Sequence, residues 1–258
     1  SQVGGADGSL INHYNEDTCA IHGRVDTNGT VTGRFTSSSP NMNQIPAQKE
    51  FRELFNAPNG WTFVGVDFSQ QELVNLAHFL YPYDGGAYAE TVANGRKDNE
   101  TDPHNVHKRL AGLDTRDQAK VFGFQYLYGA GDVVLGAAVK HELLEDFTEQ
   151  EYKMAKKKVY NRSNLIGTTS YFPLKKDQYV PVTELLIHQA IYGKRIVSKF
   201  EKNFPGLSDL IKVLQKEAKD YGTITVPSGR VLPCRAPRNA LNTAMQGLGG
   251  VAMKYYIR

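Results

Sequence analysis

Thr115-Arg116-Asp117-Gln118-Ala119-Lys120-Val121-Phe122-Gly123-Phe124-Gln125-Tyr126-Leu127-Tyr128-Gly129-Ala130-Gly131-Asp132 carries the deciding pattern of this 258-residue chain. Arg116, Lys120, Phe124 and Tyr128 recur every four residues. That spacing lines their side chains along one face of a helix. Two cations and then two rings make a poor core-facing stripe. They suit a triphosphate followed by a base, because Lys and Arg bind phosphate oxygens and aromatic rings stack on bases. Taken alone, the stripe also fits a surface helix with a half-buried aromatic end.

Upstream, Val64 to Leu80 reads VGVDFSQQELVNLAHFL. The apolar run Phe63-Val64-Gly65-Val66 predicts a buried strand that delivers Asp67 at its C-terminal end. Leu73, Leu76, Ala77 and Leu80 then recur at helical spacing. A carboxylate at such a junction suits Mg²⁺, which takes oxygen ligands; it equally suits a helix N-cap. Earlier still, Ile21 to Pro46 is rich in Gly, Asn, Ser and Thr. It predicts loops around a short Thr30-Val31-Thr32 strand, with a hairpin turn at Asn28-Gly29. Asp102-Pro103-His104 reads as a loop with a surface histidine.

The Arg116–Gly129 pattern resembles the nucleotide-binding helix of the DNA polymerase I family (family A), Arg-x3-Lys-x3-Phe/Tyr-x3-Tyr-Gly. Single-subunit RNA polymerases carry a relative of it. Asp67-Phe68-Ser69-Gln70-Gln71-Glu72-Leu73 resembles the family's first metal motif, Asp-x-Ser-x-x-Glu-Leu. The resemblance implies that Asp67 ligates two Mg²⁺ ions, with Mn²⁺ as a substitute, and that the Phe68 carbonyl ligates one of them. It places Ser69, Gln70 and Glu72 beside the incoming dNTP, with Glu72 under the sugar, where it blocks a 2′-hydroxyl. Single-subunit RNA polymerases lack that Glu, so Glu72 favours a DNA polymerase. Arg116 and Lys120 join Asp67 as catalytic residues, and Phe124 and Tyr128 pack on the new base pair. His104 matches an Asp-x-His that supplies the triphosphate tail in the phage-type branch; His107, one helical turn on, is the alternative.

Ile21–Pro46 resembles the family's Thr-Gly-Arg and Pro-Asn-x-Gln-Asn-Ile-Pro segments, with Asn43-Gln44 in reversed order. The implied DNA contacts there are Arg34, Asn43 and Gln44. Arg34 would sense base-pair shape in the minor groove, whose acceptors are alike in every pair. Ser228–Gly250 resembles the turn and helix that present Arg230, Asn242 and Gln246 to template-primer. Tyr128-Gly129-Ala130-Gly131-Asp132 points to the phage-type branch.

The implied fold class is α+β: a palm with a partial antiparallel sheet and a mainly helical fingers subdomain. The implied divisions are 1–72 for the first part of the palm, 73–219 for the fingers with the nucleotide helix at about 115–128, and 220–258 for the return into the palm. The implied reaction is template-directed nucleotidyl transfer from dNTPs to a primer 3′ end by two metal ions. The family's second aspartate stands in a His-Asp-Glu hairpin, a string these 258 residues do not contain. The expectation is therefore that either a missing segment or sister chains supply the thumb and that aspartate, and that primer-template DNA and dNTPs are the other partners. A polymerase remnant that binds DNA or nucleotide without turnover is the competing reading.

Composition agrees. The chain is 40% hydrophobic with net charge +3, enough for one large or two small domains. Lys194–Arg238 holds ten Lys/Arg against four Asp/Glu, a fair surface for a nucleic-acid backbone. Cys19 and Cys234 lack metal spacing and predict free thiols in a reducing compartment. No signal peptide or long apolar run is present, so the expectation is a cytoplasmic protein, in the host cytoplasm if phage-encoded, with no membrane partner. Ser1–Gly8 is predicted mobile, and 72–219 mainly helical with a charged helix at Thr148–Arg162. Tyr81–Gly86 reads as a connection and Asn161–Gln178 as a turn-rich, mobile insertion. Phe204-Pro205-Gly206-Leu207 predicts a break between helices, and Pro227-Ser228-Gly229 the turn of a hairpin.

Overall fold

A computed structural model describes residues 10–175 and 178–257. The Gly-rich start lies outside the described residues. The helices are α1 (Lys49–Arg52), α2 (Gln71–Asp84), α3 (Ala87–Asn94), α4 (Pro103–Ala111), α5 (Arg116–Leu127), α6 (Asp132–Val139), α7 (Glu149–Asn161), α8 (Glu184–Asn203), α9 (Leu207–Tyr221) and α10 (Ala240–Tyr256). The strands are β1 (Tyr14–Asn15), β2 (Ala20–Ile21), β3 (Arg24–Asp26), β4 (Thr36–Ser38), β5 (Asn164–Ile166), β6 (Thr169–Lys175), β7 (Gln178–Pro181), β8 (Thr223–Thr225) and β9 (Val231–Pro233). The fold class is α+β: many helices with small antiparallel sheets. The chain divides into two compact units, Ser1–Gln71 with Thr225–Pro233 and Gln246–Arg258, and Glu72–Ile224 with Cys234–Met245.

The second unit is built on helix packing. Leu73, Leu76 and Leu80 of α2, Phe122 and Leu127 of α5, Phe200 of α8, and Leu207 and Leu210 of α9 share one buried core. A second core joins Val133 of α6, Val159 of α7, Phe172 of β6, and Ile187 and Ile191 of α8. The α6–α8 crossing depends on Gly136 and Gly193. A Cβ on either would overlap a backbone carbonyl of the other helix, that of Gln189 or Asp132, so only glycine lets the two backbones approach this closely. The predicted break at Phe204–Leu207 falls between α8 and α9, and Thr148 and Arg162 cap α7 at its two ends.

Several local expectations are corrected. Phe63–Val66 is not a buried strand; it is irregular, and Val64 is 84% exposed. An apolar run reads as a buried strand only if another strand is there to take its N–H and C=O groups, and no described strand pairs with it. Thr30–Thr32 is likewise loop. The strands of that region are β3 and β4, paired antiparallel from Arg24 opposite Ser38 to Asp26 opposite Thr36. Tyr81–Asp84 continues α2 through Pro82. The insertion read as turn-rich forms the antiparallel sheet β5-β6-β7, in which Phe172 faces the core; with a single buried residue in β6 and none in β5, it carries no alternating pattern to read. The β8–β9 hairpin stands as predicted, with Val226 N–H donating to the Arg230 carbonyl at 3.0 Å. Cys19 and Cys234 are free thiols. No helix among the described residues is long and apolar enough to cross a membrane.

Candidate nucleotide and nucleic-acid site

Local chemistry fixes the ends of α5. Thr115 is its N-cap: its hydroxyl accepts the Gln118 N–H at 3.1 Å, while the Gln118 side chain accepts the Thr115 N–H at 3.1 Å. This capping box satisfies two donors that the first turn would leave orphaned. At the other end Tyr128 is the C-cap and Gly129 adopts φ 78°. Gly129 N–H donates to Tyr126 at 2.9 Å and Ala130 N–H to Gln125 at 3.0 Å, the paired bonds of a left-handed helix stop that favours glycine. Ala119, Phe122, Gly123 and Leu127 are buried. The 116-120-124-128 stripe is therefore left less buried, with Lys120 and Tyr128 exposed.

Helix α4 brings further groups to this stripe. Asp102 is its N-cap and Pro103 its first residue, a pairing pre-set for helix entry. His104 is consequently not a loop surface residue: it is 7% exposed, its ring centroid 5.6 Å from that of Phe124. Its Nδ1 is buried without a hydrogen-bond partner. Burial lowers its pKa first, the Arg116 charge adds to this, Asp102 opposes and Lys120 adds again, so the imidazole is neutral near pH 7. His107 takes another place. It is buried against Phe200 and stacked on Tyr88, whose hydroxyl lies 2.9 Å from its Nε2.

Arg116 donates Nη2–H to Asp102 Oδ2 at 2.6 Å and Nε–H to the same carboxylate at 3.1 and 3.3 Å. Burial works to raise the Asp102 pKa, but hydrogen bonds from Arg116 and Asn105 outweigh it and hold the carboxyl below its ordinary value. At the far end of the stripe, the Tyr128 hydroxyl donates to Glu72 at 3.3 Å. Arg116, Lys120, Phe124, His104, Tyr128 and Glu72 thus belong to one unit.

Asp67, Phe68, Ser69, Gln70, Arg34, Asn43, Gln44, Arg230 and Gln246 belong to the first unit, and Asn242 to the second. Asp67, Ser69 and Gln70 are exposed, Gln70 has φ 54°, and the half-buried Phe68 ring packs edge-on against Tyr256 at 5.4 Å. Arg34 sits in the β3–β4 loop, its N–H bonded to Thr30 Oγ1 at 2.8 Å. The Arg230 guanidinium lies over neighbouring Gly33 and donates to Asn28 at 2.7 Å. Lys254, absent from the sequence-based set, donates to the same Asn28 oxygen at 3.4 Å. Asn43 and Gln44 are exposed on a single 3₁₀ turn. Asn242 and Gln246 stand four apart on α10, and Asn242 Oδ1 is buried without a partner. Asn75 and Gln71 of α2 were also missed. Asn75 Nδ2 donates to the Met245 carbonyl at 2.8 Å and Gln71 to the Gly249 carbonyl at 3.1 Å. A polar residue inside an otherwise apolar helical stripe was the available signal for Asn75.

Among the described residues, no group of three His, Cys, Asp or Glu could hold a metal ion. Mg²⁺ does not require one. It is commonly bound through one or two carboxylates, substrate phosphates and water, and the exposed oxygens of Asp67 fit that donor set.

These features gather two cations, two rings, a neutral histidine and a carboxylate within one unit, and the comparisons place the chain in a family. The family model "DNA polymerase family A" matches residues 7–163. The chain belongs to DNA polymerase family A. It is similar to the "DNA-directed DNA polymerase" of Enterobacteria phage T3 and that of Escherichia phage T7, in line with the phage-type resemblance of its sequence. Each is 30% identical over 250 residues, which is 92% of this chain and 30% of theirs. The chain therefore spans under a third of the length of these relatives. "DNA polymerase I, thermostable" of Thermus aquaticus is 30% identical over 53% of this chain. Among solved structures, the "POL domain of Pol1 from M. smegmatis complex with DNA primer-template and dNTP" overlays 95% of this chain and 38% of its own, with TM-score 0.59 and 18% identity; that likeness shows the fold.

Proposed function

We propose that the chain is the palm and fingers portion of a DNA-directed DNA polymerase, adding dNTPs to a primer 3′ end as a template directs. The observation that carries this is the α5 stripe: two cations at the helix start, a neutral buried histidine against Phe124, and Tyr128 bonded to Glu72. In this reading 1–72 and 220–258 belong to the palm and 73–219 to the fingers. Arg116 and Lys120 offset charge on the triphosphate. His104 offers hydrogen bonding without charge. Phe124 and Tyr128 cover the base pair, and Glu72 excludes a 2′-hydroxyl. Arg34, Arg230, Asn43, Gln44, Asn242 and Gln246 hold primer-template. Asp67, with the Phe68 carbonyl, would hold Mg²⁺, which when bound makes the primer hydroxyl more acidic and neutralises the leaving oxygens.

A second aspartate and the thumb come, in this reading, from other polypeptide. The apolar surface of the first unit supports it. Phe63 and Trp61 are 69% and 77% exposed, beside an apolar cavity of about 870 Å³ lined by Leu10, Ile21, Phe51, Phe55 and Phe63. Exposed apolar surface on this scale suits cover by other polypeptide, a further segment or a sister chain. The test is primer extension by these 258 residues alone and with the polypeptide that supplies the second aspartate. Trace extension alone is expected, with robust extension in the assembly that Asp67→Ala abolishes while DNA binding survives. An assembled Asp67→Ala enzyme with near-normal rate would sink the metal assignment. Nucleotide binding without extension in any assembly would leave the non-catalytic reading.

A further inference from the structure

We propose that Asp102 is a positioning residue for Arg116, clamping one edge of its guanidinium so that the opposite edge meets the phosphate tail of a bound nucleoside triphosphate. The inference rests on the reading of α5 as a nucleotide-binding helix. Arg116 opens that helix, and an arginine side chain there has many rotamers to lose. The side-on contact through Nε and Nη2 fixes the guanidinium plane and directs Nη1 away from the carboxylate. The remaining N–H groups of the planar fork suit an anion of phosphate geometry.

The clamp is itself held. Asp102 caps α4, accepts from Asn105 Nδ2 at 2.6 Å, and its side chain is 10% exposed. Two residues on, the same helix start delivers His104 to Phe124. One carboxylate thus couples the two elements that carry the stripe, across a sequence gap of 14 residues.

Three roles for Asp102 predict three different results. A carboxylate that only repelled a nearby anion would, when neutralised, let nucleotide bind more tightly. A helix cap alone would be replaced by Asn without consequence, since Asn caps as well as Asp. A clamp would be lost, because an amide gives no charge-assisted fork, and nucleotide would bind more weakly. The experiment is equilibrium binding of a fluorescent dATP analogue with Mg²⁺, alongside thermal melting. It compares wild type, Asp102→Asn, Arg116→Ala and the double variant. Asp102→Asn is expected to melt near wild type and bind about tenfold more weakly. Arg116→Ala should weaken binding at least as much, and the double variant should bind no worse than Arg116→Ala. Unchanged or tighter binding by Asp102→Asn overturns the clamp, as does an equal further loss in the Arg116→Ala background. Should Asp102→Asn melt early, Asp102→Glu decides: it keeps the charge but displaces the fork, so weaker binding supports the clamp and wild-type binding overturns it. If Arg116→Ala binds as wild type does, the nucleotide reading of α5 falls and the clamp with it. If Arg116→Ala weakens binding and Asp102→Asn does not, the clamp alone falls.

Discussion

At the residue scale, Phe124 is the position where one atom decides a selectivity. Its ring lies half-buried between His104 at 5.6 Å and Tyr128 at 6.5 Å. In the proposed site it faces the sugar of the incoming nucleotide and offers no hydroxyl there. A dideoxynucleotide lacks the polar group that the ordinary substrate brings itself. One such contact is worth roughly 1–3 kcal/mol, on the order of ten- to a hundredfold in selectivity. Phe124→Tyr keeps the ring and adds the hydroxyl. It is expected to remove most of the discrimination against ddNTPs and leave dNTP incorporation nearly unchanged. Competitive incorporation by the assembled enzyme measures this; equal ddNTP use by both proteins would mean that Phe124 does not face the sugar. The stripe holding Phe124 was legible because four-residue spacing survives folding unchanged. The Asp102–Arg116 fork was not, because it joins two helix starts whose approach is set by tertiary packing. The burial of His104 was hidden for the same reason: taken alone, Asp102-Pro103-His104 read as a loop, whereas Asp102 and Pro103 open α4 and bury it.

At the element scale, the site depends on α4 lying against α5. Gly123 faces His107 across that contact, and a Cβ there would stand 2.9 Å from His107 Nδ1. His107 cannot swing away easily, packed as it is among Tyr88, Phe200 and Phe204. Two effects oppose each other in Gly123→Ala. Helix propensity alone would stabilise by about 1 kcal/mol. Overpacking a full core costs about 1–3 kcal/mol. The clash is expected to win, lowering the denaturant midpoint and weakening dNTP binding as α4 shifts. A raised midpoint would show that the two helices part at no cost. Helix existence was legible wherever apolar residues recurred, as in α2 and α5. Of the small sheets only the β8–β9 hairpin was legible, from its Pro-Ser-Gly turn. Strands of two to four residues leave little alternation to read, and Phe63–Val66 showed every apolar sign of a strand while no described strand pairs with it.

At the scale of the whole molecule, folding stability integrates the buried ionisable groups of the helical unit. Burial of His107 takes its pKa down to about 3, with the neighbouring His104 adding to the effect and Asp102 opposing it. In the unfolded chain a histidine titrates near its ordinary value of about 6.5. The unfolded state therefore binds a proton below that pH which the folded state refuses. Stability is complete above about pH 6.5 and falls as pH drops toward about 3. His104, also depressed, acts in the same direction. So does Asp102, whose lowered carboxyl pKa takes effect lower, as pH falls below the ordinary carboxylate range. Stepwise acidification from pH 7 to pH 4.5 is accordingly expected to lower the melting temperature continuously, before most carboxylates titrate. The double variant Tyr88→Phe/His107→Phe keeps two stacked rings and leaves no hydroxyl without its partner. It should lose a large part of that acid slope, whatever its own stability at pH 7. An unaltered slope in the double variant would place the acid sensitivity elsewhere. It would also mean that the α4–α5 contact tolerates a charged His107, and so that the stripe rests on a softer core than its packing indicates.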